Sequence, residues 1–109
     1  MSKIISIAKE FSRFPAGRYR ADGPFSGEQF RDDNLAPALS QNRKVIVDLD
    51  GALGYGSSFL EEAFGGLVRV KGLRAEELQT KLELRSSETS LPKEIWGYIR
   101  SASTNGKRK

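Results

Sequence analysis

This chain of 109 residues has 14 carboxylates and 18 lysines and arginines to do chemistry with, and neither histidine nor cysteine. Without those two residues the usual zinc sites are excluded, and so are the Cys-His and Ser-His-Asp nucleophile systems. Disulfides and thiolate chemistry go with them. A catalyst would have to work with carboxylates, Lys, Tyr or Ser alone. The pair Asp48 and Asp50 is the obvious candidate, because residues two apart on a strand point to the same side. Such a pair can bind Mg²⁺ or do acid–base work. It can equally cap backbone N–H groups at a turn or pair with an arginine such as Arg18 or Arg20, and no third ligand or nucleophile accompanies it. No enzyme, metal or cofactor is expected.

The second candidate is Gly54-Tyr55-Gly56-Ser57-Ser58, at the start of a helix and after the carboxyl end of a strand. In open α/β sheets ligands and partners usually dock there, and free N–H groups with the helix dipole suit an anion. It is not a nucleotide loop, since the G-x-x-x-x-G-K-[ST] spacing is missing and no lysine follows the last glycine. Ser58 with Glu61 has the form of a capping box, and Glu61 and Glu62 lie in the first turn, where the dipole favours negative charge. With Ser58 as the cap, Ser57 keeps a free hydroxyl. The partner-binding or phospho-acceptor candidates are therefore Ser57, Ser58, Gly54, Tyr55, Gly56, Glu61 and Asp50.

A third candidate is a loop in which Arg13, Arg18 and Arg20 alternate with Phe11, Phe14 and Tyr19, a pattern that can stack on and neutralise nucleic acid. Glu10 and Asp22 dilute it. The formal charge of +4 does not reinforce it: residues 1–70 hold nine basic and nine acidic side chains, and residues 71–109 hold nine against five. Lys107-Arg108-Lys109 supplies three of that excess, so 104–109 reads as a basic, irregular tail after a single domain over 1–103.

The elements that must position these groups follow from periodicity. Ile4-Ile5-Ser6-Ile7 is a short β-branched strand. Arg18-Tyr19-Arg20 could form a second, between the turn signals of Pro15-Ala16-Gly17 and Asp22-Gly23-Pro24. Ser26-Gly27-Glu28-Gln29 is a capping box opening a helix, with Phe30 and Leu35 inward and Glu28, Arg31, Asp32 and Asp33 toward water. Pro37 should kink or end it early, or Asn34-Leu35 begins a new turn around it. Lys44 to Asp50 is the clearest strand, and its unbroken apolar run predicts burial on both faces. The helix after Ser57 buries Phe59, Leu60, Ala63, Phe64, Leu67 and Val68 on one face. Gly65-Gly66 within it costs about 1 kcal/mol each relative to Ala, which close packing would explain. A short helical turn over 73–79, a half-exposed strand over 81–86 and a final helix from Ser90, with Ile95, Ile99 and Ala102 inward, complete the order. This predicts a small single-domain α/β protein with a mixed β-sheet and helices packed against it. No stretch approaches the roughly 18 apolar residues of a membrane span, and the N-terminus lacks a signal-peptide pattern, so a cytoplasmic location is expected.

Several long runs carry a family likeness: Phe11 to Arg20, Asp22 to Arg31, Val47-Asp48-Leu49-Asp50-Gly51, and Gly54 to Leu67. In these the chain resembles a bacterial STAS-like family of unknown function. More distantly it is similar to the STAS domains of anti-sigma-factor antagonists. That likeness implies a small regulatory domain which binds a histidine-kinase-like ATPase or similar regulator and is switched by serine phosphorylation at a helix N-terminus. The antagonists' motif is Asp-Ser-Ser/Thr-Gly, so Ser57 would hold the phospho-acceptor position, with Gly56 where they have the acid and Phe59 where they have the glycine. The other reading is a nucleic-acid-associated accessory protein using the Arg13, Arg18 and Arg20 loop and the basic tail.

Overall fold

The computed structural model describes residues 2–107. Strand β1 (Ser2–Ser6) leads into the one-turn helix α1 (Ile7–Glu10). A loop containing a 3-10 turn at Arg20–Asp22 follows, between the turn signals that the sequence places there. Helix α2 occupies 27–41 in three consecutive stretches: Gly27–Phe30, a π turn at Arg31–Leu35, and Ala36–Gln41. Strand β2 (Lys44–Asp48) precedes helix α3 over 57–69, again in three stretches: Ser57–Leu60, a π turn at Glu61–Gly65, and Gly66–Arg69. Helix α4 (Ala75–Lys81), strand β3 (Leu82–Arg85) and helix α5 (Ser90–Lys107) complete the chain. The α5 backbone continues into the segment expected to be irregular; Arg108 and Lys109 lie outside the described residues.

Ser26 caps α2 as expected, its hydroxyl accepting from the Gln29 N–H at 3.1 Å. The Gln29 amide oxygen reaches one residue further than a capping box would, accepting from the Phe25 N–H at 3.0 Å. Phe25 sits at φ +65°, a region that costs a bulky residue about 1 kcal/mol or more. Its carbonyl accepts from the Ala16 N–H and its ring packs edge-on to Phe11 at 5.5 Å, which together hold it there. Pro37 neither ends nor breaks α2. The Ala36 N–H donates five residues back to the Arg31 carbonyl, and this wider turn accommodates a residue with no N–H of its own.

The sheet has three strands in the order β1-β2-β3, and both pairings are parallel. The expectation of a mixed sheet is corrected here: each pair of consecutive strands is joined through helices, and such crossovers return the chain in the same direction. Burial on both faces of β2 is corrected too. Val45 and Val47 are fully buried, with Ile5 beside them, while Ile46 is half-buried and its neighbour Ile4 is 52% exposed. Sequential strands joined by right-handed crossovers put successive helices on the same face of a sheet. Accordingly α2 packs on α3, and α3 on α5, in one helical layer. Phe30, Leu35, Phe59, Leu60, Phe64, Leu67, Ile95 and Ile99 fill the space between that layer and the sheet. Rings of Phe11, Phe30, Phe59 and Phe64 meet there at 5.2–6.4 Å.

Candidate functional site

The segment after β2 is held from three sides. Leu49 is buried and its N–H donates to the Arg85 carbonyl at 2.8 Å. Asp48 accepts from the Asp50 N–H at 3.0 Å, and Asp50 in turn accepts from the Ser87 N–H at 2.9 Å and from its hydroxyl at 3.0 Å. The two aspartates therefore work as caps that tie the loop after β2 to the loop after β3. Neither pairs with Arg18 or Arg20. Gly51 turns the chain at φ +98°, where a Cβ would also press on the Ala8 methyl at 3.1 Å. Tyr55 anchors the far end of the loop. Its hydroxyl donates to the Leu49 carbonyl at 2.7 Å and its ring lies 6.1 Å from that of Phe59. Burial, and then the charges of Asp48 and Asp50, push that hydroxyl's pKa up, so it stays protonated as a donor.

Helix α3 starts one residue earlier than its sequence suggests. Gly56 is the N-cap, with extended backbone, and makes no side-chain capping bond. Ser57 and Ser58 are thus the first two helical residues, and the expected role of Ser58 as cap is corrected. A cap needs the extended backbone that Gly56 has, and from inside the helix the Ser58 hydroxyl cannot face the N–H groups of the first turn. Both serines are exposed, as are Gly54 and Gly56, and neither hydroxyl hydrogen-bonds to another described residue. The two most exposed large apolar side chains among the described residues are Leu53, at 70% in the loop beside them, and Phe14, at 63% in the loop after α1. The two loops are tied together by the Leu53 N–H, which donates to the Arg13 carbonyl at 3.0 Å.

Glu61 does not reach back to the helix start. Its carboxylate is taken by Arg18, at short range, and by Arg69 at 2.6 Å. Glu62, 3% exposed, accepts from Arg31 at 2.5 Å, Arg69 at 3.1 Å and Arg18 at 3.3 Å. Arg31 is itself 3% exposed and also holds Asp32 at 2.8 Å, which Lys71 approaches at 3.2 Å. Arg31 was expected to face water; instead it lies inside the interface between the two π turns. Arg20 is spoken for as well, pairing with Asp33 at 2.7 Å. Of the three arginines in the proposed nucleic-acid loop only Arg13 has no ion-pair partner among the described residues.

Residue spacing alone does not reveal this network. Its trace was Gly65-Gly66: a Cβ on Gly66 would overlap the Arg31 guanidinium, and one on Gly65 would sit 2.7 Å from the Glu61 carboxylate. The two glycines leave the room that the charged side chains fill.

Burial by itself would raise the carboxyl pKa of Glu61, but the hydrogen bonds from Arg69 and Arg18 outweigh it and hold Glu61 below the usual range. Asp32 behaves alike, burial being overcome by Arg31 and Lys71. A carboxylate whose folded pKa is depressed adds stability that is complete above its unfolded pKa and disappears as the pH falls through the folded one. Stability measured by urea denaturation should therefore be flat from pH 7 to about 5 and drop below about 4, where unfolded carboxyls take up protons first. With Glu61→Gln and Asp32→Asn together, that drop should become shallower. An unchanged acid limb would exclude these two groups as its source.

The family described as a STAS-like domain of unknown function matches residues 26–91, from the α2 cap to the start of α5. No curated protein and no solved structure matches the chain. No helix among the described residues is long and apolar enough to cross a membrane. The match takes in β2, the glycine-serine loop, α3 and β3, and the chain belongs to this STAS-like family.

Proposed function

We propose that this STAS-like domain is a non-enzymatic regulatory module that docks a protein partner at the loop and helix N-terminus around Ser57. The reading rests on one observation above all: Ser57 and Ser58 stand exposed at the head of α3 with hydroxyls committed to no bond, beside the exposed side chain of Leu53. Contiguous exposed apolar surface marks interaction sites, and the bond from the Leu53 N–H to the Arg13 carbonyl brings the Leu53 loop against the loop of the exposed Phe14. Tyr55, Asp50 and Glu61 hold the loop and helix in place: one bonds a carbonyl, one caps a turn, and one pairs with two arginines. By likeness to anti-sigma-factor antagonists the partner is a histidine-kinase-like ATPase or similar regulator, and Ser57 is the residue it phosphorylates.

A phosphate on Ser57 adds nearly two negative charges at the rim of the docking surface. The helix N-terminus tolerates them, and a partner seated there is repelled and desolvated unfavourably. Candidate ATPases coexpressed with the chain should be retained by wild type and by Ser57→Ala, and should bind Ser57→Asp at least about tenfold more weakly. Ser58→Asp serves as the positional control. Equal retention of wild type and Ser57→Asp would sink the switch, and loss of binding in Leu53→Asp alone would leave docking without it.

A further inference from the structure

The sheet has an uncovered side. Parallel strands occur almost solely in sheets with both faces buried, because each crossover lays a helix on the sheet. Here both crossovers and α5 share one layer, and the opposite face shows Ile4 and Ile46 at its middle. Around them lie Lys44 and Asp48 at the two ends of β2, and Glu83 and Arg85 on β3, with Lys44 and Glu83 paired at 3.2 Å. This face carries two cationic and two anionic side chains and so no net charge, on a chain whose formal charge is +4. Its surface is where two copies of a basic protein could meet without repulsion.

We propose that the face is a homodimer interface, formed by two sheets packed with their strands antiparallel about a two-fold axis. The occupant is a second copy because β2 is self-complementary under that operation. Turning β2 end for end about Ile46 lays Ile46 over Ile46, Lys44 over Asp48 and Asp48 over Lys44. An isologous interface requires this kind of match, each contact occurring twice. On β1, two residues from each end, Ile4 lies level with Ile46 and meets its own copy. Glu83, level with Ile46 on β3, also falls near its own copy, and Arg85 comes level with Lys44 of the second copy; within each chain Glu83 lies 3.2 Å from Lys44 and 3.9 Å from Arg85 and offsets these like charges. Strands spaced about 4.8 Å apart and rising about 3.3 Å per residue give a footprint of about 250 Å² per copy. That is well below the ~800 Å² of a standard interface, so the dimer is weak and depends on concentration.

Sedimentation equilibrium over a range from about 5 μM to 1 mM tests this at near-physiological salt. Wild type should move from monomer to dimer across the range, and Ile4→Lys, at an exposed edge position where folding is unaffected, should weaken association at least about tenfold. Lys44→Asp and Asp48→Lys each place like charges together twice and should each weaken it by at least about tenfold. Mixing those two variants should restore a dimer, since each now meets its opposite in the other. The restoration separates an interface from a folding defect, because a misfolded variant cannot be rescued by mixing. Monomer at every concentration would overturn the proposal, as would a dimer indifferent to all three substitutions or a mixture that stays monomeric.

Discussion

Arg31→Met is expected to lower the unfolding free energy by about 3 kcal/mol, the low end of what removing one partner of a buried ion pair costs. The loss has three parts, one of them the bond from the Arg31 Nε to the Asp32 carboxylate at 2.8 Å. Glu62, 3% exposed, would lose its nearest cation, the guanidinium at 2.5 Å. Its backbone carbonyl would also lose the same nitrogen, which donates to it at 3.2 Å. The effect falls at the low end because Arg69 and Arg18 still reach the Glu62 carboxylate at 3.1 and 3.3 Å. Replacing both partners is the informative control. With Arg31→Met and Glu62→Met together no buried charge is stranded, and the double variant should regain at least about 1 kcal/mol over Arg31→Met alone. Chemical denaturation with fitted slopes measures both. A loss under about 1 kcal/mol for Arg31→Met would mean that the interface relaxes enough to hydrate Glu62, and that the two π turns are not locked by charge.

The second large effect belongs to a missing side chain. At Gly27, where α2 crosses α3, a Cβ would stand 2.5 Å from the Phe59 carbonyl oxygen and 3.1 Å from the Ala63 nitrogen. These are backbone atoms of a helix and cannot rotate away. Gly27→Ala should therefore push the two helices apart and cost about 3 kcal/mol, the upper range for overpacking, despite the better helix propensity of alanine. Gly54→Ala is the matched control, with nothing within 4 Å of its added methyl, and should fall within about 0.5 kcal/mol of wild type. If the two glycine variants were equally stable, α2 and α3 would not meet as closely as described. Displacement of α2 should also loosen Arg18, because the Gly27 and Glu28 N–H groups donate to the carbonyls of Gly17 and Arg18.

These two results concern positions that the sequence treats very differently. Elements with a strong period were legible from it. The apolar face of α3, the inward stripe of α5 at Ile95, Ile99 and Ala102, the Ser26 cap and the half-exposed strand β3 all lie where residue spacing puts them. Local rules suffice there, because one buried face per element is decided by which side chains recur every turn or every second residue. The family likeness was legible too, in runs long enough to span β2, the glycine-serine loop and α3.

Contacts between distant segments were not legible. Local pattern made Arg31 a surface residue; a carboxylate 31 positions later made it a buried one. Capping statistics favoured Ser58, whereas the path of the loop, pinned by Tyr55 on Leu49 and by Asp50 on Ser87, delivered Gly56 to the cap position. An apolar run in β2 said that the strand is central, and it cannot say whether the sheet has one covered face or two. That depends on where the crossovers lay their helices. Composition and periodicity by themselves determined that this is a small α/β domain lacking histidine and thiol chemistry, with a glycine-serine loop at the head of its best helix. Only the tertiary structure decided that Ser57 and Ser58 both stand exposed there while Arg18 and Arg20 of the neighbouring loop are spent on Glu61, Glu62 and Asp33, because charge pairing acts through space and leaves no period in the chain.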